Sequence, residues 1–191
     1  MLSAVLHGSV QGMETVYYHV QKDHNGANFP WFKFTFNKAV HGGTSIEKMR
    51  FMRDKGCPFG DRTLNMAVIN GSLENIVWLK SVGCKFSDDT FSIASKAGSL
   101  PIMQWLLSEE CGFGPTTFSE AASNGDLRNM IWLKSVGCSF DKRTLLEADR
   151  NGSEDNKFWL AVHGCKRYDS PMDIASFEID DFIRDNSPIV Y

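Results

Sequence analysis

The sequence predicts an all-α fold, a solenoid of about six helical hairpins closed by a C-terminal cap, with little or no β-hairpin. Three observations predict it. The five cysteines, Cys57, Cys84, Cys111, Cys138 and Cys165, stand 27 residues apart throughout. The same step relates Thr63, Thr90, Thr117 and Thr144, then Gly71, Gly98, Gly125 and Gly152, then Trp78, Trp105, Trp132 and Trp159. Within each period the apolar residues fall into two short runs at helical spacing, parted by a glycine. Finally, the string WLKSVGC occurs at 78–84 and again at 132–138, so a whole unit has been copied, and not only single residues.

The elements follow in order from the unit T-[LF]-x-x-A-x-x-x-G-x-[LI]-x-x-x-x-W-L-x-x-x-G-C-x-F. Residues 1–34 read as a divergent first unit, marked by Ala4, Gly12 and Tyr18, and an irregular link, KDHNGANFPWFK. Residues 35–170 hold the regular repeats. The earliest of these runs through Thr35, Ala39, Gly43 and Phe51 into Cys57, with one extra residue between Gly43 and Phe51. In the next copy a first helix is expected from Thr63 to Ile69, with Asp61 or Thr63 as N-cap, because an Asp or Thr oxygen can accept from the exposed first-turn amides. The same chemistry recurs at Asp89-Thr90, Thr116-Thr117 and Asp141. Ala67 and its equivalents keep mid-helix bulk small enough for a neighbouring helix to approach, and Gly71 permits the turn.

A second helix is expected from Leu73 to Val82, stopped at Gly83 in a left-handed cap. Its apolar residues, Leu73, Ile76, Val77, Trp78, Leu79 and Val82, form a band too wide for a helix covered on one side only. Helices of about ten residues are marginal alone, so packing between units must hold them. The pattern fails at Ile179, where a glycine is due, and residues 171–191 read as the closing cap. Residues 1–191 thus read as a single repeat domain.

Composition narrows the function classes. Apolar residues make up 42% and charged residues 23%, as in ordinary globular chains, and the net charge of −3 weighs against a nucleic-acid binder. Residues 1–60 carry seven Lys/Arg against four Asp/Glu, and residues 152–191 carry four against eight, which reads as a solvated acidic end. The first twenty residues lack a signal-peptide core and no apolar run approaches a membrane span, so a cytoplasmic location is expected. The tripeptides Asn-Gly-Ser at Asn70 and Asn151 read as inter-helix turns.

The cysteine ladder could be chemistry or architecture. Equivalent residues on stacked helices lie about 8–10 Å apart, beyond the reach of a disulfide. Structural zinc sites use ligand pairs close in sequence, and a reactive thiol needs one special position, so each cysteine is expected to be a small buried apolar plug. The recurring tryptophans are expected in the core; Trp31, in the irregular link, is the one considered as an exposed contact. GSVQG at 8–12 lacks the Lys-Ser/Thr of a phosphate loop, His41 falls at a helix end, and Asp180-Asp181 reads as charge on the cap. No nucleophile elbow or zinc-protease string occurs, so the chain is expected to be non-enzymatic, with no cofactor and no metal.

The strings GCPF at 56–59 and WLKSVGC, with the T-x-x-x-A-x-x-x-G-x-L lead-in, resemble ankyrin repeats of the form found in large arrays of giant DNA viruses of amoebae and some protists. The resemblance spans residues 1–178. The usual ankyrin unit has about 33 residues, and the unit here lacks the Thr-Pro-Leu-His opening. The shortening falls between Cys57 and Thr63, on the projecting hairpin that often supplies ankyrin contacts. The resemblance implies a monomeric adaptor that binds a protein partner on a concave repeat surface, a viral protein of the host cytoplasm, or alternatively a structural subunit of a particle. No nucleic acid or membrane partner is implied.

If recurring positions build the fold, partner contacts belong to positions that vary between copies. One group precedes each first helix: Arg62, Asp88, Asp89, Thr116, Lys142 and Arg143. The other is expected on the outward side of the first helices: Asn65, Met66, Ser92, Ile93, Ser119, Glu120, Leu146 and Glu147, with Met66, Ile93 and Leu146 as exposed apolar anchors.

Overall fold

The structure is a computed structural model and describes residues 8–23, 35–60, 62–114, 116–140, 142–151 and 153–165. The described residues form eleven α-helices and no strand. These are α1 (Val10–Asp23), α2 (Thr35–His41), α3 (Ile46–Asp54), α4 (Thr63–Asn70), α5 (Leu73–Ser81), α6 (Thr90–Ala97), α7 (Leu100–Ser108), α8 (Thr117–Asn124), α9 (Leu127–Ser135), α10 (Lys142–Asn151) and α11 (Glu154–Val162). The all-α reading holds, and α4 and α5 end within a residue of the bounds expected. Trp31, Asp61, Asp141, Asp180-Asp181 and the 171–191 cap lie outside the described residues.

The chain divides into two compact units, residues 1–90 and 91–191. In the first, α1 packs on α3, α2 on α3 and α4, and α4 on α5. In the second, α8 packs on α9 and α10, and α10 on α11. Gly12 is not the inter-helix turn of a first unit. It sits inside α1, and its amide donates to Ser9 Oγ at 3.0 Å. The dipeptide before α1 is Gly8-Ser9, the same as Gly71-Ser72 before α5.

The ends of the second helices explain the Gly-Cys pair. Gly83 has φ +100°, its amide donates to Lys80 O at 3.1 Å, and the Cys84 amide donates to Leu79 O at 3.0 Å. Those two bonds are the Schellman motif, in which the residue after the left-handed one packs on the residue five before it. Cys84 and Leu79 are that buried pair. The same bond joins Cys57 to Met52, Cys111 to Leu106, Cys138 to Leu133 and Cys165 to Leu160, at 2.8–2.9 Å. One copy departs: Glu110 occupies the left-handed position, with φ +59°.

The remaining letters of WLKSVGC-x-F are also used. Ser81 Oγ donates to Trp78 O and Ser135 Oγ to Trp132 O, both at 2.7 Å. Lys80 Nζ lies 3.8 Å from the Phe86 ring centroid and Lys134 Nζ 4.5 Å from that of Phe140. Ala39, Ala67, Ala94, Ala121 and Ala148 are wholly buried, as are Leu79, Leu106, Leu133 and Leu160. Each such leucine contributes about 1.5–3 kcal/mol by leaving water. Trp78 and Trp159 are buried, while Trp105 and Trp132 are only half-buried.

Side-chain amides tie successive copies together. Asn70, Asn124 and Asn151 each donate to a carbonyl near the end of the preceding first helix, of His41, Lys96 and Ser123, at 3.2–3.3 Å. A Cβ placed on Gly98 would lie 2.7 Å from Asn124 Oδ1, and one on Gly125 2.6 Å from Asn151 Oδ1. Asn75 and Asn129 donate to Thr44 O and Gly98 O, at 3.0 and 3.1 Å. Asn156, at the equivalent position and fully buried, leaves both amide atoms without a partner.

Candidate binding surface

Thr63, which opens α4, does not cap it forwards. Arg62, in right-handed helical geometry and without a side-chain bond, is the N-cap of α4. Thr63 Oγ1 instead accepts from Gly60 N behind it at 3.0 Å, and Thr63 N donates to Gly60 O at 2.9 Å. Ser87 and Thr90 repeat both bonds at 2.9 and 3.0 Å, and Thr117 N donates to Gly114 O at 3.1 Å. The connections 60–63, 87–90 and 114–117 are thus tight turns of one kind. A compact turn also accounts for the shortness of the segment between Cys57 and Thr63.

Within each unit the threonine hydroxyls also bond to a side chain of a neighbouring copy. Thr63 Oγ1 donates to Asn37 Oδ1 at 2.5 Å, Thr90 Oγ1 to Asn65 Oδ1 at 2.8 Å, and Ser92 Oγ shares a 3.1 Å bond with Thr117 Oγ1. The Asn65 amide also donates to Ser87 Oγ at 2.9 Å. This corrects the expectation that Asn65, Ser92 and Ser119 point outward: all three are under a tenth exposed. Polar side chains can be buried there because each is hydrogen-bonded, and Ser119 Oγ donates to Thr116 O at 3.0 Å. The signal that could have found them was in the sequence. The residue two after Thr35, Thr63, Thr90 and Thr117 is Asn37, Asn65, Ser92 and Ser119, a recurring short hydrogen-bonding type that only the last copy, with Leu146, replaces.

The other candidates separate by exposure. Arg62, Asp88, Asp89 and Arg143 are exposed, and Thr116 is half-buried; of Lys142 only the backbone is described. Met66 and Ile93 are half-buried, so they are not the exposed anchors expected, whereas Leu146 is 50% exposed. Glu120 pairs with Lys96 at 3.0 Å and Glu147 with Arg150 at 2.7 Å. Both pairs are solvated and contribute little to stability. The turns at 60–63 and 87–90 therefore present charges of opposite sign, Arg143 lies in the first turn of α10, and the first helices present fewer of the candidates than expected.

The cysteines are all buried and no disulfide joins them. Burial pushes the Cys57 thiol up to about 12 and the Cys138 thiol up to about 11, so neither is a thiolate at neutral pH. Among the described residues no group of three or more His, Cys, Asp or Glu side chains could hold a metal ion. His41 is exposed, at the end of α2. No helix among the described residues is long and apolar enough to cross a membrane. No family model matches the chain, and neither a curated protein nor a solved structure matches it.

Proposed function

We propose that the chain is a non-enzymatic, ankyrin-like repeat module that binds a protein partner through the exposed turns before its first helices. One observation carries the reading. The turns at 60–63, 87–90 and 114–117 share one backbone design, held by the threonine bonds to Gly60, Ser87 and Gly114, yet the residues they present change from the cation Arg62 to the carboxylates Asp88-Asp89 to the neutral Thr116, and the next copy presents Arg143 in the first turn of α10. A constant scaffold with variable exposed residues is how repeat proteins make a specific surface. The 27-residue register runs from Cys57 to Cys165 without an insertion, which supports a continuous solenoid. The mixed charge suits a protein partner better than a polyanion. By the same reading the module works as an adaptor in the cytoplasm of the cell where it is made.

A variant with Arg62, Asp88, Asp89 and Arg143 all changed to serine tests this. Tagged wild type is expected to capture a reproducible partner from its native cell, read by mass spectrometry. The folded serine variant is expected to lose that partner, while Lys38→Ser with Arg53→Ser, two exposed changes on α2 and α3, keeps it. Retention by the serine variant would refute the reading.

A further inference from the structure

We propose that the turn Glu109–Phe113 is a second docking site, one that takes a lysine- or arginine-bearing segment of a partner and seats its cation on the Phe113 ring. Two sister copies supply the template. Lys80 covers Phe86 at 3.8 Å and Lys134 covers Phe140 at 4.5 Å, each from the last turn of its second helix. In the copy between them the lysine position is Leu107, and the ring at the phenylalanine position, Phe113, is 36% exposed. The ammonium that covers the ring in the sister copies has no counterpart at residue 107.

The charge around this ring is inverted as well. Residues 80–86 carry Lys80 and Lys85, residues 134–140 carry Lys134, and residues 107–113 carry Glu109 and Glu110 instead. Both carboxylates are exposed, and neither pairs with a cation among the described residues. They sit at the carboxyl end of α7, where the helix dipole favours a positive charge and disfavours theirs. An incoming cation therefore meets an exposed aromatic ring in a five-residue turn that also carries two exposed carboxylates. Approach is open, since Gly112 has no side chain and a Cβ there would meet nothing within 4 Å. The ring is also fixed beforehand, edge-to-face with Phe91 at 4.9 Å and 81°. An acidic segment or a nucleic-acid backbone would be repelled, and an apolar one would make no use of the carboxylates. This surface is distinct from the turns before the first helices, and neither proposal depends on the other.

A trilysine peptide titrated into the full chain, followed by NMR, tests the site. Shifts are expected at the Phe113 ring and the Glu109 and Glu110 amides, with the Phe86 and Phe140 rings unmoved. Leu107→Lys restores the sister arrangement and is expected to fold, since two copies carry lysine there; its ammonium should occupy the ring and weaken the peptide by about threefold or more, the size of one exposed cation–π contact. Gln104→Lys, at an exposed position of α7, adds the same charge elsewhere and should bind as wild type. Equal binding by wild type and Leu107→Lys would overturn the proposal, as would equal weakening by both lysine variants, or a triglutamate peptide that binds as well as trilysine.

Discussion

Glu110→Gly should stabilise the protein. Glu110 holds φ +59° at a position where the four other copies have glycine at +76° to +100°. An L-residue pays about 1–2 kcal/mol to enter the left-handed region. Glycine gives back about 0.5–1 kcal/mol through its greater freedom in the unfolded chain. Removing a carboxylate from a helix C-terminus adds about 0.3–1 kcal/mol in favour of the variant. The side chain is exposed, so no packing is lost. The net gain is about 1 kcal/mol, and in a chain of this length that raises Tm by about 2–4 °C. Gly83→Ala is the mirror experiment. Its Cβ would meet nothing within 4 Å, so the whole cost is backbone strain and the fall should be of similar size. Thermal melts and urea titrations of both variants read the effect. A Glu110→Gly chain that melts at or below wild type, with an unchanged urea slope, would refute the reasoning. The same variant should bind trilysine more weakly, which would explain why a costly residue stands there.

Other substitutions test the rest of the packing. Asn156→Ile replaces a buried amide that has no partner by the residue found in the sister copy at Ile102, and should gain about 1–3 kcal/mol of unfolding free energy in urea. Gly98→Ala adds a clash with Asn124 at 2.7 Å to the strain of φ +72°, and should destabilise clearly more than Gly83→Ala in the same titration. Thr90→Val strands the Ser87 amide and the Asn65 carbonyl and should cost about 1–3 kcal/mol, with faster hydrogen exchange at the 87–90 turn. Cys57 and Cys138 have folded thiol values raised to about 12 and about 11 from 9.0, so between pH 9 and those values the unfolded chain holds fewer protons than the folded one. Stability should be constant with respect to these two groups below pH 9 and fall as pH rises through that window, a fall that Cys57→Ala and Cys138→Ala should reduce.

The helices were legible because their boundaries are chemical. Gly71 and Gly83 stop α4 and α5 where the left-handed turn needs glycine, and the alanine and leucine steps mark the buried faces. Arg62, Asp88, Asp89 and Arg143 stand exposed at positions that differ between copies. The buried polar positions were not read, for a physical reason. Asn65, Ser92 and Ser119 are polar, and polarity alone points to solvent. Their hydrogen bonds make burial possible: Asn65 and Ser92 bond to Thr90 and Thr117 one copy away, and Ser119 to Thr116 O in its own copy. Pairing recurring polar positions across the period, and not only recurring apolar ones, would have shown it. The divergent first unit was read less well, since Gly12, taken as its glycine landmark, lies inside α1.

The most direct measurement is the rate at which the five cysteines react with a thiol reagent in the native chain at neutral pH, followed peptide by peptide as urea is raised. Slow modification of all five, with rates that climb together along the unfolding curve, is the expected result for residues that plug the ends of five helices. Fast modification of any one of them in the absence of urea, at the rate of a model thiol, would contradict the architectural reading of the repeat.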